Sequence, residues 1–471
     1  MEIKGKKCIV VGAGKSGLSA AGFLAGLGAG VILNDQADLE ALLGLEKKKE
    51  LEEAGIILAG GGHHAELFSD RELIVLSPGV PASDQPLSSL LAHAEKRGAE
   101  VISELELGYR FLDARIIAVT GTNGKSTVTT LLETVLAKSG KKVFAGGNLG
   151  TPLTEYLLGG DRADIAVLEV SSFQLERIKD FRPFISIMLN VTADHLDRYA
   201  SMDDYVEAKR RIFMNQGDGD YAILNMDDER VAGFASSIKA VIVPFGISGP
   251  KAGGVYKDGD AIVSDIEGLK ASMDIALFEK NGIYNVENAM AVFAAAILCG
   301  LSEKQFCAGL EAFEPLPHRM QFVVEYMGIG FYDDSKATNV GAAVNSLENA
   351  RGRVVLIAGG KDKGGSYEPL KEIVREKAKG VVLIGEAAAT IGSALDGAAH
   401  IIFAEGMKEA VIQAFKVASK GDLIILSPAC SSFDMYKNYM ERGLAFQEAV
   451  RTLISETKEL SGEDGEAALA G

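Results

Sequence analysis

The sequence predicts an α/β protein built from parallel sheets and divided into three domains. Short apolar, β-branched runs are followed by glycine-rich turns and then by helical patterns, an order typical of parallel sheets with crossover helices. The length of 471 residues corresponds to about three domains of roughly 150 residues. Hydrophobic residues make up 47% and charged residues 24%, which is the composition of a folded protein rather than a disordered one.

The charge and the cysteine content exclude several classes of protein. Lys and Arg number 48 and Asp and Glu 65, giving a formal net charge of −17, and such a field repels duplex DNA and anionic lipid. No apolar stretch reaches the ~18 residues of a membrane span. Four cysteines without a CxxC pair argue against a disulfide framework or a zinc ribbon. We therefore expect a cytoplasmic monomer that acts on small molecules and binds neither nucleic acid nor membrane.

The first predicted domain, residues 1–112, opens with a strand and a glycine-rich turn. The strand Cys8–Val11 leads into a GxGxxG pattern from Gly12 to Gly17, and Asp35 follows the second strand. Backbone N–H groups at such a helix start favour a diphosphate. The pattern alone leaves three interpretations open, namely a nicotinamide dinucleotide, another nucleotide, or close packing of helix on strand.

The central predicted domain, residues 113–315, carries a more informative motif. After an apolar strand come Gly121, Thr122, Asn123, Gly124, Lys125, Ser126 and Thr127, and then a helix with one apolar stripe. In such a loop the backbone N–H groups can hold phosphates, Lys125 can meet the terminal phosphates and the Ser126 hydroxyl can bind Mg²⁺. Val119 stands where the usual phosphate-loop pattern has glycine, and a chance turn is the alternative. We interpret the motif as an ATP site.

Further polar side chains are expected at the same edge of the central sheet. Glu169 ends an apolar run beside the phosphate loop, where it would either bind a cation or cap the next turn. His195 follows the next strand in an acidic loop, with either a functional or a structural role. Asn285 and Asn288 open an apolar helix, where they could bind adenine or cap the helix. The remaining histidines with no such setting, which we predict to be surface or core residues, are His63, His64, His93 and His400.

The third predicted domain, residues 316–455, repeats the parallel-sheet pattern after a hinge expected at Pro315 and Pro317. Two Rossmann-like domains would thus flank a central P-loop ATPase domain. Short β-hairpins are expected within residues 240–280, and the acidic tail 456–471 is expected to be disordered. The other predicted strands are residues 31–33 and 74–76 in the first domain, 164–170 and 185–191 in the central one, and 329–333, 354–358, 381–384 and 422–426 in the third.

A series of ordered motifs resembles the Mur ligase family. The motifs are TGTNGKST, LEVSSFQLE, NVTADHLDRY, EAKRRIF, YNVENA, PLPHRM, DDSKATN, GGKDKG and SPACSSFD, and the resemblance covers residues 5–450. It implies an N-terminal domain that binds UDP, a central ATPase domain and a C-terminal domain that brings the incoming amino acid. DDSKATN and SPACSSFD favour D-glutamate as that amino acid. The implied reaction is ATP-dependent addition of D-glutamate to UDP-N-acetylmuramoyl-L-alanine through an acyl phosphate, with release of ADP and phosphate, in peptidoglycan precursor synthesis.

The resemblance also implies roles for single residues. Ser126 and Glu169 would bind one Mg²⁺ ion. A second Mg²⁺ ion would be bound by His195 and by Lys209, which the family carbamylates. Without the resemblance, Lys209 reads as an exposed helical lysine. The catalytic residues would be Lys125, His195 and Lys209. ATP would be bound by the phosphate loop and by Asn285, Asn288, His318, Arg319, Asp334 and Lys336.

The remaining implied contacts concern the other two substrates. The UDP-substrate set is Gly14, Lys15, Ser16, Asp35, Gly79, Asn148 and His195, and the D-glutamate set is Thr338, Lys363, Ser432 and Tyr439. The sequence departs from the family pattern at Gln36-Ala37, where Thr-Arg is usual, at Tyr439, where Phe is usual, and at Lys361, where some relatives have Asp. Two other classes stay open at this point, an NAD-dependent dehydrogenase and a module that binds ATP without consuming it.

Overall fold

The computed structural model describes residues 1–148, 150–195, 198–362, 364 and 366–461. These residues form three sheets, each with flanking helices. The chain divides into two units, one of residues 1–191 and 201–313, the other of residues 192–200 and the chain from Glu314 onward. The boundary after Phe313 lies next to Pro315, where the hinge is expected. No helix among the described residues has both the length and the hydrophobicity needed to cross a bilayer.

The first sheet has five parallel strands in the order β3-β2-β1-β4-β5. Its strands are β1 (Lys7–Val11), β2 (Gly30–Asn34), β3 (Ile57–Ala59), β4 (Leu73–Leu76) and β5 (Glu100–Ser103), and its helices are α1 (Lys15–Gly26), α2 (Leu39–Glu53), α3 (Ala65–Phe68), α4 (Leu87–Lys96) and α5 (Glu104–Tyr109). Cys8 and Val10 belong to one buried cluster, and Ile9 and Val11 to another. Because alternate side chains of a strand point to opposite faces, both faces of this sheet are covered.

The second sheet has nine strands in the order β14-β13-β12-β11-β10-β9-β6-β8-β7. Its strands are β6 (Arg115–Thr120), β7 (Val143–Gly147), β8 (Ile165–Glu169), β9 (Ile185–Met188), β10 (Tyr221–Asn225), β11 (Val241–Gly246), β12 (Val255–Asp258), β13 (Ala261–Ser264) and β14 (Ala271–Asp274). The strands are parallel as far as β12, and β12, β13 and β14 pair antiparallel. The hairpins expected within residues 240–280 are therefore confirmed.

The chain between β6 and the end of this unit also forms helices. They are α6 (Lys125–Lys138), α7 (Leu153–Leu158), α8 (Ser172–Leu175), α9 (Met202–Arg210), α10 (Glu229–Ala232), α11 (Ile275–Lys280), α12 (Val286–Leu298) and α13 (Glu303–Glu311), with two 3₁₀ turns at Arg211–Phe213 and Ala235–Ser237. The apolar stripe of α6, which includes Val128, Leu132 and Val135, is fully buried against the sheet and α12. This packing fixes the start of α6 at the carboxyl edge of the sheet.

The third sheet belongs to the second unit and has the order β15-β16-β20-β17-β18-β19. Its strands are β15 (Gln321–Tyr326), β16 (Ile329–Asp333), β17 (Val354–Gly359), β18 (Ala378–Ile384), β19 (His400–Phe403) and β20 (Leu423–Leu426), and its helices are α14 (Val340–Glu348), α15 (Glu368–Lys377), α16 (Ala388–Ala394), α17 (Met407–Val417) and α18 (Tyr439–Ser461). Only β15, among these strands, pairs antiparallel with its neighbour. The α/β class with mainly parallel sheets is confirmed.

The end of the chain differs from the expectation. Disorder is expected from residue 456, but α18 continues to Ser461. Glu456 Oε1 lies 2.7 Å from the Lys408 ammonium of α17, and the Thr457 hydroxyl donates to the Leu453 carbonyl. These contacts and the good helix formers of this segment extend the helix by almost two turns. Residues 462–471 lie outside the described residues.

Candidate functional site

The phosphate loop lies between the end of β6 and the start of α6. Gly124 caps α6 with a φ of 87°, and a Cβ at this position would collide with the Asn288 side chain. The loop is held by Asn190, because the Thr122 N–H donates to its carbonyl at 2.9 Å and the Asn123 N–H to its Oδ1 at 2.8 Å. The first N–H groups of α6 are therefore held in a loop that only glycine can close, which suits an anion.

Two lysine side chains converge on this loop. The Lys125 ammonium donates to the carbonyls of Gly121 at 2.9 Å and Thr122 at 2.8 Å. The Lys209 ammonium donates to the same Gly121 carbonyl at 2.8 Å. Lys209 is only 1% exposed, and its ammonium lies over the Tyr205 ring. The reading of Lys209 as an exposed helical lysine is therefore wrong, because α9 packs this face against the loop.

Glu169 lies beside the phosphate loop at the end of β8. It is paired in register with Val119 of β6, and its side chain is 3% exposed. Its Oε1 accepts a hydrogen bond from Asn148 Nδ2 at 2.7 Å, whereas its Oε2 is buried without a hydrogen-bond partner among the described residues. It does not cap the following turn, because Ser171 and Gln174 form the capping box there.

The buried Oε2 of Glu169 is the kind of atom that a hard cation would satisfy. Among the described residues, no group of three or more His, Cys, Asp or Glu side chains could hold a metal ion. A cation at this edge would therefore depend on hydroxyl and phosphate oxygens besides a single carboxylate. This donor set fits Mg²⁺, which is usually held by one or two carboxylates and substrate phosphates.

Asn285 and Asn288 are both near the phosphate loop, but their side chains differ in use. Asn285 Oδ1 accepts from the Asn288 N–H at 2.7 Å and caps α12. Asn288 packs against Gly124. The capping interpretation of Asn285 is thus what the structure shows, and a contact of either carboxamide with adenine stays a prediction.

The glycine-rich turn of the first sheet borders a cavity of about 380 Å³. Gly14, Asp35 and Gly79 line it together. Asp35 also fixes the turn, because its carboxylate accepts from the N–H groups of Ala13 at 2.7 Å and Ala37 at 2.9 Å. Three of the expected UDP-substrate residues are therefore brought to one cavity.

Other expected residues of that set have partners elsewhere in the same unit. The Lys15 ammonium donates to the Gly150 carbonyl at 2.8 Å and lies 3.4 Å from Glu155. Asn148 is bound to Glu169. Ser16, the second residue of α1, is half-buried.

The second unit gathers part of the expected ATP and D-glutamate sets. The Lys336 ammonium lies 4.0 Å from the centre of the Tyr439 ring, and the His318 ring meets that ring edge to face at 6.2 Å. His318 Nδ1 lies 2.7 Å from Asp333 Oδ2, and its φ is 61°. A left-handed φ in a buried histidine is a strained conformation, which this hydrogen bond and the ring contact hold.

Asp334 is buried, and both of its carboxylate oxygens are bound by its own unit. They accept hydrogen bonds from the Ser346 and Ser427 hydroxyls and from the Met320 N–H. Burial raises the pKa of Asp334 to about 6, against the opposing effect of these hydrogen bonds. A contact of Asp334 with nucleotide stays a prediction, since the structure shows it as a support of this loop.

The other expected residues of the second unit are placed as follows. The Thr338 N–H donates to the Lys336 carbonyl, and Ser432 is 2% exposed. Arg319, next to His318, is half-buried. The His195 N–H donates to Asp194 Oδ1 at 2.9 Å, and Asp194 Oδ2 accepts from Asn339 at 2.9 Å. Lys363 lies outside the described residues.

Arg442 is a buried organiser of this unit that the sequence motifs do not single out. Its guanidinium donates to the Ser335 hydroxyl and carbonyl and to the carbonyls of Cys430 and Ser431. It is 1% exposed. A single side chain thereby joins the DDSKATN and SPACSSFD segments.

Comparison with known proteins identifies the family. The profile of the MurD-like N-terminal domain of Mur ligases matches residues 6–103, that of the Mur ligase middle domain residues 119–296, and that of the Mur ligase glutamate ligase domain residues 318–430. The UDP-N-acetylmuramoylalanine–D-glutamate ligase of Geotalea uraniireducens is 46% identical over 96% of this chain and 99% of its own length. The chain belongs to the Mur ligase family, among its UDP-N-acetylmuramoylalanine–D-glutamate ligases. As a Mur ligase it is an ATP-dependent enzyme.

More distant relatives agree with this assignment. The protein of the same name from Syntrophus aciditrophicus is 40% identical over 96% of this chain and 99% of its own length. The UDP-N-acetylmuramate–alanine ligase MurC of Thermotoga maritima is 19% identical, with a TM-score of 0.56 over 96% of this chain and 100% of that one. The MurF ligase of Thermotoga maritima in complex with ADP is 16% identical, with a TM-score of 0.55 over 82% of this chain and 96% of that one. The two structures support the Mur ligase fold.

Proposed function

We propose that the chain joins D-glutamate to UDP-N-acetylmuramoyl-L-alanine with consumption of ATP, releasing ADP and phosphate, in peptidoglycan precursor synthesis. The observation that carries this proposal is the arrangement around Gly121, where Lys125 and Lys209 donate to one carbonyl at the sheet edge that also bears Glu169. The Lys125 ammonium beside a helix start suits a triphosphate.

The chemistry explains why this charge is needed. The alanyl carboxylate attacks the γ-phosphorus of ATP, giving an acyl phosphate and ADP. The D-glutamate amine then attacks the acyl carbon, the carbon–oxygen bond to phosphate breaks, and the amine loses a proton. Both reactants of the first step are anions, so the Lys125 ammonium and the N–H groups at the start of α6 offset their repulsion and the charge of the transferred group.

A Mg²⁺ ion would supply further positive charge to the transferred phosphoryl group. We propose Ser126 and Glu169 as its protein ligands, because the Glu169 Oε2 atom is buried without a hydrogen-bond partner among the described residues. Asn148 holds the other carboxylate oxygen and thus orients the group.

The Glu169→Gln variant tests this metal site. The amide keeps the size of the side chain but removes the charge, so we expect the Mg²⁺ concentration for half-maximal activity to rise at least ~10-fold. Calorimetric titration of ATP at several Mg²⁺ concentrations should show the same shift. Glu133→Gln, at a half-buried carboxylate within α6, is the matched control and should leave both measurements unchanged. An unaltered Mg²⁺ dependence of Glu169→Gln would contradict the assignment.

Lys209 is proposed to act as a carbamate, which would turn a cation into an anionic metal ligand. The buried position of Lys209 against the phosphate loop supports this proposal. We expect Lys209→Ala to lose ~10²-fold or more of turnover and short carboxylic acids to restore part of it. Lys125→Ala should not be rescued, because its role is that of a cation. Absence of rescue with Mg²⁺ binding intact would count against the carbamate.

The first sheet is proposed to bind the UDP part of the substrate, with the diphosphate at the glycine-rich turn. Two glycines of this turn differ in their surroundings. A Cβ at Gly17 would collide with the Gly12 carbonyl, whereas nothing lies within 4 Å of a Cβ at Gly14. Gly17 thus serves packing of helix on strand, and Gly14 leaves room for a ligand.

A pair of alanine variants separates these two roles. We expect Gly17→Ala to lower the free energy of unfolding by about 2 kcal/mol, because the backbone must shift to accept the methyl group. Gly14→Ala should keep the wild-type melting temperature but weaken binding of UDP at least ~10-fold. Thermal melts and calorimetric titration with UDP check the two outcomes, and equal effects of both variants on both measurements would contradict the division.

The second unit is proposed to bind D-glutamate through Thr338, Lys363, Ser432 and Tyr439, with residues 1–112, 113–315 and 316–455 as the three functional domains. The Lys336 ammonium over the Tyr439 ring places a cation beside this set, which suits a dicarboxylate. We further propose that the enzyme acts as a cytoplasmic monomer. Light scattering should then give one species near 49.8 kDa.

One assay tests the proposed reaction as a whole. Release of ADP and phosphate is measured with ATP, Mg²⁺ and each UDP-linked muramoyl precursor, with and without its amino acid. We expect release only when UDP-N-acetylmuramoyl-L-alanine and D-glutamate are present together. Release without the amino acid would indicate an ATPase, release with a different pair another member of the family, and no release with any pair would overturn the proposal.

A further inference from the structure

His63 occupies a position at the nucleotide cavity that its sequence context does not suggest. It follows β3 in a loop that reaches back to the end of β2. Together with Gln36 and Pro81, His63 lines both the cavity at the glycine-rich turn and a neighbouring cavity of about 340 Å³. The second cavity is walled by Pro86 and Leu87, and the glycines of the glycine-rich turn do not line it. His63, which the sequence predicts to be a surface or core residue, is half-buried at the junction of these two cavities.

The neighbouring Asn34 fixes which nitrogen of His63 carries the proton. Asn34 is fully buried, and its Nδ2 donates to the carbonyls of Ala59 at 2.7 Å and Gly62 at 2.9 Å. A flipped amide would set its oxygen against both carbonyls, so this orientation is fixed. Asn34 Oδ1 then faces His63 Nδ1 at 2.6 Å and can only accept. His63 Nδ1 therefore carries the hydrogen, and in the neutral ring Nε2 is a hydrogen-bond acceptor.

The neutral form of His63 is favoured near pH 7. Burial lowers the pKa of His63 below its usual 6.5, and the neighbouring His64 acts in the same direction, whereas the Asp35 carboxylate acts against both. No described residue donates a hydrogen bond to Nε2. A half-buried imidazole with a fixed tautomer thus presents an acceptor at the junction of the two cavities.

Uridine offers hydrogen-bond donors only at its imide N3–H and its ribose hydroxyls. In dinucleotide-binding folds of this type an acidic residue after the second strand binds the ribose hydroxyls. Asp35 follows β2 and, of the two cavities, lines the first only. His63 lies at the entrance to the second cavity, whose proline and leucine walls suit a flat ring.

We propose that His63 Nε2 accepts a hydrogen bond from the uracil N3–H of the UDP substrate, so that Asn34 and His63 together select uracil. The proposal rests on the UDP-linked substrate of the proposed function. Cytosine presents a lone pair at N3 instead of a hydrogen, so the neutral His63 would repel it. The departure at Gln36-Ala37 from the family pattern occurs beside this same junction, where His63 supplies a polar contact.

Binding of UDP analogues to the full chain tests the proposal without turnover. Dissociation constants are measured by calorimetry for UDP, N3-methyl-UDP, CDP and 2′-deoxy-UDP. We expect the wild-type chain to bind N3-methyl-UDP and CDP ~10-fold more weakly than UDP, the worth of one hydrogen bond. In His63→Ala, UDP should bind ~10-fold more weakly and the preference over N3-methyl-UDP and CDP should fall below about twofold.

Three comparisons distinguish this role from a structural one. His63→Gln keeps an acceptor and should recover part of the UDP affinity. His93→Ala, at an exposed residue of α4 that lines neither cavity, should bind like wild type. The ratio of UDP affinities between wild type and His63→Ala should shrink as pH drops from about 7 to about 5, because the protonated ring donates at Nε2.

Each outcome bears on the proposal. A wild-type chain that binds N3-methyl-UDP as tightly as UDP overturns it, as does equal discrimination by wild type and His63→Ala. The wild-type chain could instead discriminate only against 2′-deoxy-UDP and lose this discrimination in His63→Ala. That result would show that His63 contacts the ribose, and it would also overturn the proposal. Failure of the proposed function is seen separately, as absence of phosphate release with UDP-N-acetylmuramoyl-L-alanine and D-glutamate.

Discussion

Replacement of Lys125 by alanine is expected to lower turnover by more than ~10³-fold, the largest effect of any single change considered for this chain. The Lys125 ammonium is held at the mouth of the phosphate loop by the carbonyls of Gly121 and Thr122. An oriented charge on the transferred phosphoryl group stabilises the transition state by several kcal/mol, because the site needs no reorganisation when charge develops there. Binding of ATP should weaken by much less than turnover falls.

Lys141→Ala is the matched control for this variant. Lys141 lies between α6 and β7 and lines a cleft at the opposite, amino ends of β6 and β8, so its removal changes the net charge equally without touching the phosphate loop. Its turnover should stay within about twofold of wild type. Single-turnover measurements at saturating ATP check both variants. Activity of Lys125→Ala within tenfold of wild type would contradict the assignment of the ATP site.

Much of the sheet architecture follows from local sequence pattern. The apolar runs at β1, β6 and β17 are continuous because both faces of these strands are buried, and the glycines after them mark the turns. The expected strand 185–191 ends instead at Met188, because the chain then turns so that Asn190 can hold the phosphate loop. The strands missing from the prediction are the antiparallel edge strand β15 and also β3, β5, β7, β10 and β19.

The sequence predicts the candidate site only where the residues that carry the chemistry lie next to one another in one motif. The phosphate loop is such a motif, since its glycines, lysine and serine are contiguous. The burial of Lys209 depends on a contact 88 residues away in sequence, and the tautomer of His63 on an asparagine 29 residues away. A single sequence gives no signal for such long-range partners. The motif EAKRRIF already includes Lys209, and the fold buries this lysine against the phosphate loop.

The second unit offers the strongest case of a residue that only the structure reveals. Arg442 lies on α18 and is fully buried, yet it has no carboxylate partner among the described residues. Burial lowers the pKa of its guanidinium to about 10, so it stays charged at neutral pH. A buried charge without a counterion is costly, and it is tolerated here because its three nitrogens donate to the Ser335 hydroxyl and to the carbonyls of Ser335, Cys430 and Ser431.

We expect Arg442→Met to lower the stability of the chain by about 3 kcal/mol, because the buried carbonyls of Ser335 and Cys430 lose the donor that Arg442 supplies. The DDSKATN and SPACSSFD segments would also lose their common tie, so KM for D-glutamate should rise at least ~10-fold while binding of UDP stays unchanged. Arg451→Met, on the exposed face of the same helix, removes the same charge and should alter neither quantity, as calorimetric melts and D-glutamate titrations can show. If the two variants melted alike, Arg442 would not be the element that holds these segments together. If Arg442→Met melted early but kept its KM for D-glutamate, the guanidinium would stabilise the unit without shaping the amino-acid pocket.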